Sequence, residues 1–137
     1  MLLAAGAGFL LRGARAATVQ PPVDTIEGHL IQLEDGRVVL QAGDGGKVQL
    51  SGDEGTGKVI HDPRLGGVEL VALGHFTAPG RFAIGPIFEK NMFVVKNGKR
   101  LRITYWCDIC SIRTYAPGPC VCCQKWTDLD LRDPNLE

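Results

Sequence analysis

Short apolar runs separated by glycine-containing turns fill the middle of the chain, and this pattern limits the fold more than any other feature. The chain has 137 residues and 18 glycines, about twice the usual glycine usage. Between Thr25 and Trp106 the apolar residues recur with a period close to two, which is typical of strands. Asp35-Gly36 and Asn97-Gly98 are strong hairpin signals. No segment has the period of a long amphipathic helix, so the sequence predicts an all-β fold.

The order of the predicted strands gives a more specific expectation. Three strands are predicted between residues 25 and 50, and an irregular crossing segment follows at Ser51–Gly67, interpreted as a loop or a single helical turn. Two further strands are predicted at Val68–Phe76 and Arg81–Ile87. This layout resembles that of an OB-fold over Thr25–Phe88. The resemblance implies a small OB-like barrel, while an SH3-like barrel or a small sandwich would use a similar pattern.

The C-terminal part of the sequence adds a hairpin and a cysteine-rich cap to this barrel. Met92–Val95 and Arg100–Trp106 are predicted to pair, and a closing strand is expected around Leu129 and Leu131. We therefore divide the chain into four parts. Residues 1–16 form a signal peptide, 17–24 a linker, 25–90 the OB-like β-domain, and 91–137 the β-hairpin with a zinc-ribbon-like metal-binding cap.

The first residues have features of an export signal. Met1–Leu11 is apolar but too short to span a bilayer, and Ala14-x-Ala16 fits the small-residue rule for cleavage before Ala17. Two features depart from the usual pattern, because no basic residue precedes the apolar run and two arginines follow it. The pattern predicts export to a bacterial-type envelope or periplasm, with no transmembrane span left after cleavage. An ordinary N-terminal helix in a cytoplasmic protein is the alternative.

All five cysteines lie between residues 107 and 123, as two Cys-x-x-Cys pairs with one extra thiol. A disulfide framework would spread its cysteines along the domain, whereas paired cysteines form knuckles whose sulfurs converge on a metal ion. The predicted ligands are Cys107, Cys110, Cys120 and Cys123, and Cys122 is the alternative ligand. If Cys122 is not a ligand, its thiol is either buried or reactive.

The paired cysteines resemble a zinc ribbon or a rubredoxin-type double knuckle, although the nine-residue spacer, Ser111–Pro119, is shorter than usual. The resemblance implies bound zinc, with iron as the alternative metal. Four thiolates leave no open position on zinc, so the site would be structural. Iron in the same cage would carry one electron, and metal-free pairs would exchange disulfides. A structural disulfide also stays open, because export exposes thiols to an oxidising compartment.

The net charge and the spacing of basic residues limit the classes of function that the sequence is compatible with. Lys+Arg and Asp+Glu both number 15, so the chain lacks the basic surplus of a duplex-DNA binder. The basic residues near the cysteines are interleaved with aromatic residues, a pattern that can bind single-stranded nucleic acid. A single-stranded nucleic-acid-binding module is therefore one alternative function, third after the two given below. These basic residues are Lys90, Lys96, Lys99, Arg100, Arg102 and Arg113. The aromatic residues are expected to pack around the knuckles.

Catalytic signatures are missing from the sequence. The three histidines, His29, His61 and His75, have no ligand spacing, and no nucleophile or phosphate-binding motif occurs. The sequence therefore predicts a non-enzymatic binding or assembly module whose partner is another protein, in an envelope complex if the chain is exported. A redox protein is the main alternative, and we do not expect nucleic acid as the partner.

Overall fold

The structure is a computed structural model that describes residues 23–136. The predicted signal peptide and residues 17–22 of the predicted linker lie outside the described residues. The described part contains nine strands and two short helices, together with two 3-10 turns. Within residues 23–136, no helix has the length and apolar character needed to cross a membrane.

Five strands close into a barrel, which confirms the prediction of a small all-β barrel. The barrel strands are β1 (Asp24–Gln32), β2 (Val38–Gln41), β3 (Lys47–Ser51), β4 (Glu69–Ala78) and β5 (Arg81–Ile84). The sheet runs in the order β1-β2-β3-β5-β4, and β4 pairs back with β1. All of these pairs are antiparallel except β3–β5, which is parallel.

The crossing segment between β3 and β4 is more ordered than the sequence suggested. It contains helix α1 (Glu54–Ile60) and a 3-10 turn at Pro63–Leu65. Asp53 begins α1 by accepting a hydrogen bond from the backbone N–H of Thr56 at 2.8 Å. The prediction of a loop or a single helical turn is therefore too short, because this cap and the buried side chains of the segment stabilise a second turn. The buried apolar side chains of the segment are Val59, Ile60 and Leu65.

The predicted strand Arg81–Ile87 is also wrong at its end, since β5 stops at Ile84. Pro86 has no N–H for the ladder, and Ile87 has a φ of 63° that a strand cannot accommodate. Ile87 instead precedes the single-turn helix α2 (Phe88–Asn91). The predicted end of the strand failed here because apolar alternation does not show where the backbone turns.

Four more strands extend the barrel sheet, and they carry the cysteines. They are β6 (Met92–Lys96), β7 (Lys99–Cys107), β8 (Ile112–Thr114) and β9 (Asp128–Arg132). β6 pairs with β4, and β7 pairs with β6, β8 and β9. The predicted hairpin and closing strand are thus present. One hydrophobic core joins the barrel to this extension, because it contains Leu30 and Phe82 as well as Ile103 and Tyr105.

Candidate metal centre

Strand β7 brings the first cysteine pair out of the hydrophobic core. Its inward-facing Ile103 and Tyr105 are fully buried, and the strand ends at Cys107, whose side chain is only 2% exposed. The chain then turns through Cys110 and returns as β8, which pairs with the end of β7. A cysteine at the end of a buried strand is held firmly, so β7 fixes the position of this first knuckle.

The second cysteine pair lies in the loop between β8 and β9, which is closed by three successive cross-links. Thr127 donates to the carbonyl of Gly118 from both its backbone N–H, at 3.0 Å, and its hydroxyl, at 2.8 Å. Pro119 and Trp126 form an isolated antiparallel bridge. The backbone N–H of Cys120 donates to the carbonyl of Lys125 at 2.7 Å. These cross-links make the loop a narrow hairpin.

The two pairs fold as matching knuckles. In the first, the backbone N–H groups of residues 109 and 110 donate to the sulfur of Cys107, the latter at 3.5 Å. In the second, the N–H groups of residues 122 and 123 donate to the sulfur of Cys120. Ser111 and Gln124, each one residue beyond its pair, have positive φ values of 53° and 61°. Such a conformation is uncommon for residues other than glycine, so its repetition marks a shared local architecture.

The knuckles bring four sulfurs to one point. The Sγ atoms of Cys107, Cys110, Cys120 and Cys123 all lie within 4.8 Å of one another. Around a tetrahedral ion with a metal–sulfur distance near 2.3 Å, the sulfurs would be about 3.8 Å apart. The Sγ atoms of Cys107 and Cys123 are 3.5 Å apart. The four thiols therefore fit a tetrahedral metal ion, and within residues 23–136 no other His, Cys, Asp or Glu cluster does.

The pKa shifts differ in direction among the thiols of the cluster. The two backbone N–H groups that point at Cys120 lower the pKa of its thiol to about 7. The neighbouring thiol of Cys122, together with burial, raises the pKa of Cys110. At Cys107 the N–H of Cys110 lowers the pKa, but burial and the thiols of Cys123 and Cys120 outweigh it and raise the pKa overall. Crowded sulfurs resist carrying several negative charges together, and a bound cation would remove this penalty.

Cys122 lies outside the group of four, and its side chain is exposed. Of the two expectations for this thiol, burial is therefore wrong, and exposure leaves it open to reagents. The knuckles are also bridged at the surface, where the ammonium of Lys125 contacts the carboxylate of Asp108 at 3.0 Å. Exposed pairs of this kind contribute little stability.

The aromatic residues pack around the knuckles only in part. Tyr105 is buried, and the guanidinium of Arg113 lies 4.9 Å from the ring centre of Trp106. Tyr115 and Trp126 remain 42% and 63% exposed. The expectation that the aromatic side chains interleaved with the basic residues pack around the knuckles is thus wrong for Tyr115, which is exposed.

Sequence reasoning missed a polar network beneath the knuckles. The buried carboxylate of Asp62 accepts hydrogen bonds from Arg64 and from the hydroxyl of Tyr105, at 2.9 Å for the tyrosine. Arg64 in turn donates to the carbonyl of Thr127 at 2.7 Å. Asp62 before Pro63 is a recognisable helix-cap signal, but nothing local in the sequence identifies partners 43 and 63 residues away.

The histidines stay apart from the cysteines. His61 has an exposed ring that contacts the carbonyls of Gly57 and Gly36 at 2.6 and 2.8 Å. His29 and His75 lie on β1 and β4 and, among the described residues, belong to no candidate metal cluster. The histidines therefore add no ligand to the four thiols.

The chain was also compared with known proteins. No family model, curated protein or solved structure matches it. Function is therefore inferred from the residues and their geometry. The described part is an all-β, cysteine-rich protein with a cluster of four cysteines that can hold a metal ion.

Proposed function

We propose that the protein is a non-enzymatic binding or assembly module whose cap is held in shape by one structural zinc ion. The observation that carries the proposal is the convergence of four sulfurs from two matching knuckles. Zinc favours a tetrahedral set of thiolates. With Cys107, Cys110, Cys120 and Cys123 as ligands, the ion has no free position for a substrate, which supports a structural role over catalysis at the metal.

The small size of the cap supports a structural role for the metal. Between residues 107 and 127 the buried hydrophobic side chains are those of Cys107 and Cys120. Loops without an apolar core of their own need another source of stability, and metal–thiolate bonds supply it. In this proposal the zinc ion replaces a core for the two knuckles, while the barrel supplies the core beneath them.

Exposed apolar side chains at the knuckles support binding to another protein. Ile109 lies within the first cysteine pair and is 65% exposed, and Val121 lies within the second and is 84% exposed. Trp126 follows the second knuckle and is 63% exposed. Grouped apolar exposure marks interaction surfaces more often than isolated residues do. The N-terminal sequence pattern supports export, so we propose an envelope complex as the setting.

Redox chemistry is the second candidate function, and the thiols themselves favour it. Hydrogen bonds from backbone N–H groups lower the pKa of Cys120 to about 7, and Cys122 and Cys123 are exposed. A thiolate next to accessible thiols can exchange disulfides. The same four sulfurs around iron would make a one-electron carrier.

Metal analysis of the protein as isolated separates the two candidates. Purified in reducing buffer without added metal, it should contain about one zinc per chain and show no visible absorption. A variant with Cys107 and Cys110 replaced by serine serves as the control and should lose the zinc. Iron–thiolate absorption would replace the proposal with electron transfer. Metal-free protein whose cysteines form disulfides once the reductant is removed would replace it with thiol exchange.

A further inference from the structure

The 3-10 turn that follows α1 contains an aspartate and an arginine whose side chains hydrogen-bond to each other. Asp62 caps the 3-10 turn by accepting a hydrogen bond from the backbone N–H of Arg64 at 3.0 Å. Its carboxylate also pairs with the guanidinium of Arg64 at 3.0 Å, and the side chain of Asp62 is only 3% exposed. A buried carboxylate that accepts several hydrogen bonds has one favoured geometry. Because Asp62 is held in this way, it fixes the direction in which the guanidinium of Arg64 points.

This pair contacts the chain just before the first cysteine and just after the last one. The hydroxyl of Tyr105, two residues before Cys107, donates to Asp62 at 2.9 Å. The guanidinium of Arg64 lies 5.1 Å from the ring centre of Tyr105, and its Nη1 donates to the carbonyl of Thr127 at 2.7 Å. Thr127 closes the base of the second knuckle through Gly118, two residues before Cys120. One turn of the barrel thus holds the base of each knuckle.

We infer that Asp62 and Arg64 are positioning residues for the metal site, an inference that rests on the proposed function. Neither belongs to the ligand cluster, and each acts through a residue near one pair. Groups that orient metal ligands from outside typically change affinity by about 10- to 100-fold when removed. The 3-10 turn therefore couples the barrel to the affinity of the cap for its ion.

The chain contains a matched control for this turn. Asp35 and Arg37 have the same spacing and the same local bonds, with the N–H and Nε of Arg37 donating to the carboxylate at 3.0 and 2.7 Å. Both side chains are more than half exposed, and their pair lies in the turn between β1 and β2. Removing Arg37 deletes a local aspartate–arginine pair without removing a hydrogen bond to Tyr105 or Thr127.

The test is a competitive titration of metal-free, reduced full-length protein with zinc and cobalt, well below the unfolding temperature. Arg64→Met should weaken zinc binding about 10- to 100-fold and alter the visible spectrum of bound cobalt, which reports the geometry of the four sulfurs. Arg37→Met should change neither. Arg64→Lys keeps the charge beside Asp62 and should recover part of the affinity.

Tyr105→Phe keeps the ring and removes the hydroxyl, so it decides the question if Arg64→Met does not fold. It should weaken zinc binding about tenfold. If the Arg64 or Tyr105 variant is folded and binds zinc and cobalt as the parent does, the inference is wrong and the proposed function stands. If the parent protein binds no metal, the proposed function fails, and the inference fails with it.

Discussion

At the residue scale, the adjacent thiols Cys122 and Cys123 have different neighbours although both are exposed. The sulfur of Cys123 lies within the group of four, 3.5 Å from that of Cys107. Cys122 contributes its backbone N–H to Cys120. A serine at either position keeps the backbone donor, so substitution separates the two roles.

We predict that Cys122→Ser retains one metal ion per chain, whereas Cys123→Ser loses it or binds it at least 100-fold more weakly. The reason is that removing one of four thiolates opens the coordination shell, while the N–H of residue 122 is unaffected. Metal content after dialysis against a weak chelator checks this. Equal loss from both variants, or loss from Cys122→Ser alone, would put Cys122 in the ligand set.

Asp62 gives a prediction about pH. Burial opposes its ionisation, but hydrogen bonds from Arg64 and Tyr105 outweigh burial and hold the pKa of the carboxyl below its ordinary value of 3.8. A lowered folded-state pKa stabilises the protein above pH 3.8, and this contribution is lost as the pH falls through the folded value.

Asp62→Asn should therefore lower the free energy of unfolding by about 1–3 kcal/mol near neutral pH. The difference from the parent protein should shrink below pH 3.8. Urea unfolding of the metal-free, reduced proteins at a series of pH values measures the difference without a contribution from acid release of metal. A difference that grows as the pH falls would show that the carboxylate is not stabilised in the folded state.

At the element scale, two strand glycines let backbones approach closely as the barrel closes. A Cβ on Gly74 of β4 would lie 1.9 Å from the carbonyl oxygen of Ala83 on β5. A Cβ on Gly28 of β1 would lie 2.4 Å from the carbonyl oxygen of Gln41 on β2. Both obstacles are backbone atoms within paired strands, so neither can move without disturbing the sheet.

Gly74→Ala should destabilise the protein by about 3 kcal/mol or more. Gly43→Ala is the control, because its Cβ would meet nothing within 4 Å and its φ is not positive. Thermal unfolding of the two variants beside the parent measures the effect. Equal melting temperatures for all three would mean that β4 and β5 do not approach as described.

Local sequence signals were sufficient for most of the elements and for the cysteine group. Asn97-Gly98 marks the β6–β7 turn because a two-residue hairpin turn requires positive φ angles, which these two residues adopt readily. The knuckles follow from the spacing of the cysteines. The end of β5 is set by Pro86 and by the positive φ of Ile87, which apolar alternation does not reveal. The second turn of α1 depends on its Asp53 cap and on the burial of its apolar side chains. The contacts of Asp62 with Tyr105 and of Arg64 with Thr127 join residues 43 and 63 positions apart, so only the folded chain brings them together.

At the scale of the whole molecule, the barrel and its extension share one core. Met92, Val94, Ile103 and Tyr105 come from β6 and β7 and are packed with the barrel side chains. The β-domain predicted for residues 25–90 lacks all four. A chain that ends before them would leave barrel side chains such as Leu70 facing water.

A fragment of residues 23–91 should therefore fail to fold. Losing several large buried side chains at once lowers the free energy of unfolding by more than the total stability of a small domain. Circular dichroism and the dispersion of amide proton shifts would show whether the fragment is folded, with a chain of residues 23–137 as the folded reference. A fragment with native dispersion and cooperative unfolding would show that the barrel is independent of the cap.

X-ray absorption at the zinc edge tests the central claim most directly, because it counts the atoms around the ion in solution. We predict four sulfur ligands at about 2.3 Å and no nitrogen or oxygen in the first shell, in the protein as isolated and in Cys122→Ser. Two or three sulfurs with lighter atoms would contradict a closed four-cysteine site. That result would mean an open metal and would return catalysis to consideration.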